Sequence, residues 1–250
     1  MIDEKFTSGK SFIHCLHPTT RIWAAILLSF ATAFSHHFYP ILGYGLVSAM
    51  LVFAARLPVR HVLARLKVLM WFLLMIWILV PLTFEGDTLY RFYKLTVSKQ
   101  SILLCLGITL KSVTILMLFI ALIATMRITA LGNGLQRIRV PDKFVFLLLM
   151  SYRYIFLMQK EYHRLLRAAR FRGFKPGTNL HSYKTFSYLA GMLFVRASLR
   201  AQNVHKAMLC RGFKTKFHTL DIYPPHRRNA LFLIGILLIS SVLIWTEIRI

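Results

Sequence analysis

An all-α, polytopic membrane fold is predicted for this 250-residue chain, and three observations predict it. The apolar residues, 57% of the total, are segregated into long runs rather than spread through the sequence. Those runs have the length of bilayer-crossing helices, roughly 17–25 residues. The charge, a formal +24 from 32 Lys and Arg against 8 Asp and Glu, lies almost wholly between them. A water-soluble domain of this size mixes charged and apolar residues on every surface element and does not separate them in this way.

Taken in order, the first run, Ile22 to Ala55, contains no Lys, Arg, Asp or Glu across 34 residues. As one helix it would rise about 50 Å against a hydrocarbon core of about 30 Å. It therefore divides into two helices, about 20–35 and 39–55, with a turn near Ser35-His36-His37-Phe38-Tyr39-Pro40. A third helix covers about 67–84 and a fourth 101–126, where Lys111 is the single charge. The last covers 229–247. Five crossings result, and the chain divides into N-terminal membrane helices (1–126), a polar segment (127–228) and a C-terminal membrane helix (229–250).

Orientation follows from the tendency of Lys and Arg to stay on the cytoplasmic side. The loop Arg56–Lys67 carries four basic residues and no acid, and 127–228 carries 20 of the 32 Lys and Arg against Asp142, Glu161 and Asp221. Both are expected inside. Glu85–Gln100, with Glu85 and Asp87 among its charges, is expected outside. The N-terminus then lies inside and the C-terminus outside. The start of the chain lacks the basic region and cleavage pattern of a secretory signal, so the first helix is expected to remain in the mature protein.

The polar segment is patterned as two long helices. Phe144 to Arg172 follows Pro141-Asp142, where an acid suits a helix start. Ile155, Met158, Tyr162, Leu165 and Ala169 recur at spacings of three and four, forming an apolar seam. The second helix is expected from about Ser187 to Arg211, with Leu193, Ala197, Ala201, Val204 and Met208 as its seam. Each helix ends in the same way. Ala168-Ala169-Arg170-Phe171-Arg172-Gly173-Phe174-Lys175 aligns with Ala207-Met208-Leu209-Cys210-Arg211-Gly212-Phe213-Lys214. Glycine just past a helix end supplies the left-handed residue that closes the last carbonyls. An arginine beside those carbonyls meets the negative end of the helix dipole, worth about 0.3–1 kcal/mol. Capping accounts for either end alone. The duplication points to a shared docking role, in which a planar guanidinium forks onto a carboxylate and the following Phe fills an apolar pocket.

Other chemistries find little support. No Gly-x-x-x-x-Gly-Lys-Ser/Thr loop is present to cradle phosphates, and no His-Glu-x-x-His, Gly-x-Ser-x-Gly or paired carboxylate occurs. His36-His37 lack a nearby acid or cysteine, and His14, His17 and His218 lack ligand spacing. Cys15, Cys105 and Cys210 are scattered and form neither a disulfide frame nor a zinc motif. The basic charge comes without any nucleic-acid-binding pattern, and contact with anionic lipid headgroups or an acidic protein explains it. A membrane-embedded enzyme and a single-subunit secondary transporter remain as alternatives. Lys111 is read as pairing within the bundle or snorkelling, with an interface to a partner subunit as the alternative.

Several stretches resemble one family, the transmembrane T component of energy-coupling factor (ECF) transporters, and within it the cobalt-type branch. They are Leu16-His17-Pro18-Thr19-Thr20-Arg21, Arg139-Val140-Pro141, Ser151-Tyr152-Arg153-Tyr154-Ile155-Phe156, Glu161 to Gly173, and Gly191 to Phe213. The resemblance implies a scaffold in a prokaryotic cytoplasmic membrane. It would stand between a substrate-binding membrane subunit (the S or M component) and two ABC-type ATPases at the cytoplasmic face. No cofactor of its own is implied, ATP being bound by the partners. It also implies that two coupling helices end in an Ala-Arg-Gly signature, assigning ATPase contact to Arg172, Gly173, Arg211 and Gly212 with the flanking Ala168, Ala207, Phe174 and Phe213. The chain departs from that signature at Phe171 and Cys210, which stand where the family has Ala. The branch implies cobalt, with nickel or a vitamin as alternatives.

Overall fold

The computed structural model describes residues 16–35, 37–57, 59–83, 88–92, 95–213 and 227–249. His14, Cys15, His36, Lys214, His218 and Asp221, all weighed above, lie outside them. The described chain is helical: α1 (Pro18–Phe34), α2 (Phe38–Ala54), α3 (Val59–Thr83), α4 (Lys99–Leu122), α5 (Ile128–Arg137), α6 (Asp142–Phe171), α7 (Leu180–Cys210) and α8 (Arg227–Arg249). A small antiparallel hairpin, β1 (Thr88–Phe92) with β2 (Leu95–Ser98), joins α3 to α4, an element the hydropathy pattern does not show. The chain divides into two compact units, one containing Asp3–Gly134 with Asp221–Ile250 and the other Leu135–Leu220.

In the first unit α4 packs against α1, α2 and α3, and α8 packs against α1 and α2. The core is formed by Ala24, Ala25 and Leu28 of α1, Tyr44 of α2, Leu118 and Leu122 of α4 and Ile236 of α8. Ala24 and Ala25 let neighbouring backbones approach, the usual device where lipid-like side chains supply no hydrophobic drive between helices. Gly43 acts likewise, since a Cβ there would stand 2.7 Å from Leu243 Cδ2 on α8. The outward faces carry Phe30, Leu46, Phe53, Trp71, Leu103 and Leu238, all exposed. Such a continuous apolar exterior needs lipid rather than water around it. Val59–Pro81, Gln100–Leu122 and Asn229–Glu247 are long and apolar enough to cross a bilayer, and Phe38–Ala54 is a shorter apolar helix.

The long first run is indeed two helices, α1 and α2, separated at Ser35–His37. The Leu16–Arg21 stretch proves to be a built helix start. His17 Nδ1 accepts from Thr19 N at 3.2 Å, Pro18 opens the first turn, and Thr20 Oγ1 donates to the His17 carbonyl at 2.6 Å. The His17 amide donates to Asn229 Oδ1 at 3.2 Å, fastening α1 to the start of α8. Arg21 is buried and its guanidinium donates to Thr125 Oγ1.

Several boundaries differ from the sequence expectations. α3 begins at Val59, so Arg60, Arg65 and Lys67 lie on a helix instead of a loop. Helix formation does not stop where the membrane does, and Arg, Lys, Leu and Ala are all good helix formers. α7 begins at Leu180, seven residues before the expected Ser187, with Asn179 in extended backbone as its N-cap. α5 is an element absent from the sequence expectations, and it forms although Gly132 and Gly134 lower its helix propensity.

Candidate functional site

The second unit is built on an α6/α7 hairpin. α6 and α7 run antiparallel, as three pairings along their length show. Phe174, just after α6, meets Phe186 of α7 edge-on at 5.5 Å between ring centroids. Glu161 of α6 meets Arg196 of α7. Phe146 near the start of α6 lies 5.5 Å from Phe213, just after α7. The turn between the helices is closed by the Gly177 amide donating to Ser182 Oγ at 3.1 Å, with Ser182 buried.

The two Arg-Gly ends are the same structure built twice. After α6, the Phe174 amide donates to the Ala169 carbonyl at 3.1 Å and the Gly173 amide to the Arg170 carbonyl at 3.0 Å. After α7, the Phe213 amide donates to Met208 at 3.0 Å and the Gly212 amide to Leu209 at 2.9 Å. These six-to-one and five-to-two bonds define a Schellman cap. Gly173 has φ +84° and Gly212 φ +76°, the left-handed conformation the motif demands. Arg172 (φ −86°, ψ 15°) and Arg211 (φ −89°, ψ 9°) occupy equivalent C-cap positions, and both are exposed. Ala168 and Ala207, one turn back, are exposed as well. Because the helices are antiparallel, the tips stand at opposite ends of the hairpin. The pairing of Phe174 with Phe186 sets the first tip level with Phe186, so the stretch of α7 from Phe186 to Arg211 separates the tips by about 38 Å.

Beyond the backbone the tips diverge. Phe171 is 89% exposed, a large apolar ring standing beside Arg172, whereas Cys210 occupies the equivalent place beside Arg211. The expectation that the following Phe reaches into a partner's pocket does not hold for Phe174. That ring is only 8% exposed and packs against Phe186 and His181 inside its own hairpin. Phe213 is partly buried against Phe146. In each case the cap reverses the chain after the glycine, and the following ring packs on the neighbouring helix, Phe174 on α7 and Phe213 on α6.

The middle of the hairpin holds a buried carboxylate. Glu161 Oε1 accepts from Arg164 Nη2 at 2.6 Å, one turn along α6, and from Arg196 Nη1 of α7. The Arg196 hydrogen bond, aided by Arg164, holds the Glu161 carboxyl below the usual carboxylate range, against an opposing effect of burial. Sequence spacing carries no signal for the Glu161–Arg196 pair, whose partners are 35 residues apart.

Lys111, in the first unit, donates from Nζ to the Ala33 carbonyl at 3.1 Å. That carbonyl belongs to the last turn of α1, so the ammonium meets the negative end of a helix dipole within the bundle. Lys111 also lines a cavity of about 470 Å³ with Ile41, Gln100 and Leu104.

Comparison with known proteins gives a consistent match. Residues 9–219 match the CbiQ family, described as cobalt transport protein. Among curated proteins the chain is 26% identical over 227 residues to the energy-coupling factor transporter transmembrane protein EcfT of Thermanaerovibrio acidaminovorans, covering 85% of this chain and 84% of that one. It is 24% identical to the EcfT protein of Bacillus subtilis, covering 88% and 89%. With the EcfT protein of Acidaminococcus fermentans it shares 22% identity, covering 96% of each.

Proposed function

The chain belongs to the CbiQ family of cobalt transport proteins, and from that premise we propose that it is the T scaffold of an ECF-type importer coupling a pair of ABC-type ATPases to a substrate-binding membrane subunit. As a transmembrane component of such a transporter it performs no chemistry itself, and ATP is bound and hydrolysed by the partners. One observation carries the reading. The same Schellman cap, with the same Arg-Gly-Phe sequence, is built at both ends of one hairpin. A single ATPase has no use for two identical handles about 38 Å apart, and a pair has one for each.

The mechanism follows from that spacing. Each tip offers a guanidinium on a backbone fixed by two hydrogen bonds, so little ordering is required when a carboxylate on the ATPase meets it. ATP-driven closure of the pair moves both sockets together and displaces the two ends of the hairpin in concert. The displacement passes to the membrane helices that hold the substrate subunit. Cobalt is the proposed cargo on the family's description, and nickel or a vitamin would use the same scaffold. The location is a prokaryotic cytoplasmic membrane, with both tips and the N-terminus inside and the C-terminus outside.

The test is co-purification. The tagged chain should bring down ABC-type ATPase subunits from its native membrane. Arg211→Glu should abolish that capture, because it sets like charges together at the contact, and Arg211→Lys should weaken it by losing the bidentate fork. A tagged wild-type chain that brings down no ATPase, or an Arg211→Glu chain that captures it normally, overturns the proposal.

A further inference from the structure

The two tips act in concert only if the hairpin between them behaves as one body, and the interior of the hairpin shows where that stiffness resides. Grooves open on both sides of Glu161. Toward the turn, a cavity of about 560 Å³ lies between α6 and α7, lined by Leu165, Ala169, Arg172, Thr185, Tyr188 and Met192. Toward the open end, another of about 430 Å³ is lined by Phe146, Met150, Tyr154, Ala201, Val204 and Met208. The two apolar seams thus face each other without closing over much of their length. Between the grooves the Glu161 carboxylate bridges the helices, in salt bridges with Arg164 and Arg196.

We infer that the Glu161–Arg196 bond is the clasp that sets the crossing of α6 and α7 and makes the two coupling tips one lever, which rests on the scaffold reading above. The geometry suits a pivot. Along α6 the clasp stands about 16 Å from Arg172, and along α7 about 22 Å from Arg211. A small rotation at Glu161 is therefore amplified at both ends. Apolar seams slide over one another at low cost, whereas a charge-assisted hydrogen bond has one distance and one direction. The site is also selective about its partners. Glu161 is buried at 7% exposure, and its side chain is reached from two helices at once. Arg164 sits on the same helix as Glu161, so it neutralises the carboxylate without joining the helices. Arg196 alone makes the bridge. Glu161 and Arg196 are therefore positioning residues for the coupling motion.

The difference between the two arginines supplies the experiment. Spin labels are placed on introduced Lys143→Cys of α6 and Gln202→Cys of α7, both exposed and away from the two tips, in a chain whose native cysteines are removed. The distance distribution between the helices is then read in the full chain, alone and with its co-purified ATPases with and without a non-hydrolysable ATP analogue. The wild-type chain and Arg164→Met are expected to give one narrow distribution that shifts as a whole with nucleotide. Arg196→Met and Glu161→Gln are expected to lose the narrow distribution, and Arg196→Lys to recover it in part. ATPase capture should persist in all four, since Arg172 and Arg211 are untouched. A narrow wild-type-like distribution in both Arg196→Met and Glu161→Gln overturns the clasp. So does equal broadening by Arg164→Met, which would mean that charge balance and not the bridge is what matters. Failure of the wild-type chain to capture ATPase would instead overturn the scaffold reading, and the distances in the chain alone would still decide the clasp.

Discussion

Replacing Gly212 with Ala tests whether the tip is a built backbone structure or merely a place where an arginine happens to stand. Gly212 has φ +76°, and a Cβ added there meets nothing within 4 Å. The substitution therefore creates no clash and removes no packing. Its whole cost is that of holding an L-residue in the left-handed region, about 1–2 kcal/mol. If that free energy opens the cap, the bonds from the Phe213 amide to Met208 and from Gly212 to Leu209 are lost together, and Arg211 loses its fixed position. The population of ordered tip then falls, by up to about 5–30-fold, and apparent affinity for the ATPase pair falls in the same proportion. Asn tolerates the left-handed region, so Gly212→Asn should recover much of the loss. Gly191 is the internal control. It lies within α7, also has open space around its Cβ, and has no positive φ. Gly191→Ala should be neutral or stabilising by about 0.5–1 kcal/mol. Titration of the purified ATPases against each variant, with amide hydrogen exchange at Phe213, reads both quantities. Equal affinities for wild type, Gly212→Ala and Gly212→Asn would refute the argument that the cap presents the arginine.

Three further outcomes follow from side-chain placement. Phe171→Ala removes a ring that is 89% exposed, so the melting temperature in detergent should change by no more than the equivalent of about 0.5 kcal/mol. ATPase capture through the first tip should weaken, and unchanged binding would show that the ring is not a contact. Phe174→Ala removes a buried ring packed on Phe186 and His181, so it should destabilise the hairpin by about 3–5 kcal/mol, read as a melting shift larger than that of Phe171→Ala. The pH profile should carry the signature of Glu161, whose pKa is depressed by Arg196 first and Arg164 second. A depressed carboxylate adds stability above its unfolded pKa of about 4.3. That contribution is lost as pH falls through the lower folded value. The Glu161 contribution should therefore be constant from neutrality down to about 5 and fall only in stronger acid. Glu161→Gln should flatten that acid limb, and an identical limb in the variant would exclude Glu161 as its source.

The apolar helices were legible because the bilayer imposes a local rule: a crossing is a predominantly apolar run of bounded length, visible without any tertiary information. The break at Ser35–His37 was legible for the same reason, since the run was too long for one helix. Gly173 and Gly212 were readable as stops, since the left-handed residue after a helix is a backbone requirement that glycine meets best. The starts of α3 and α7 were less so. Their first turns are polar, and neither charge nor hydropathy distinguishes a polar helical turn from a loop. The β1–β2 hairpin and the glycine-containing α5 gave no periodic signal strong enough to compete.

By itself the sequence determined what is local: the apolar spans, the two glycine stops, the duplicated Arg-Gly-Phe ends and the oddity of Phe171. Only the tertiary structure decided how those ends are disposed. It placed the tips at opposite ends of an antiparallel hairpin, turned Phe174 inward and left Phe171 outward, and joined Glu161 to Arg196 across 35 residues. The physical reason is one of range. Helix caps and hydrophobic spans depend on neighbours within a few residues along the chain. The direction of a side chain, and the partner of a buried charge, depend on which surfaces the fold brings together.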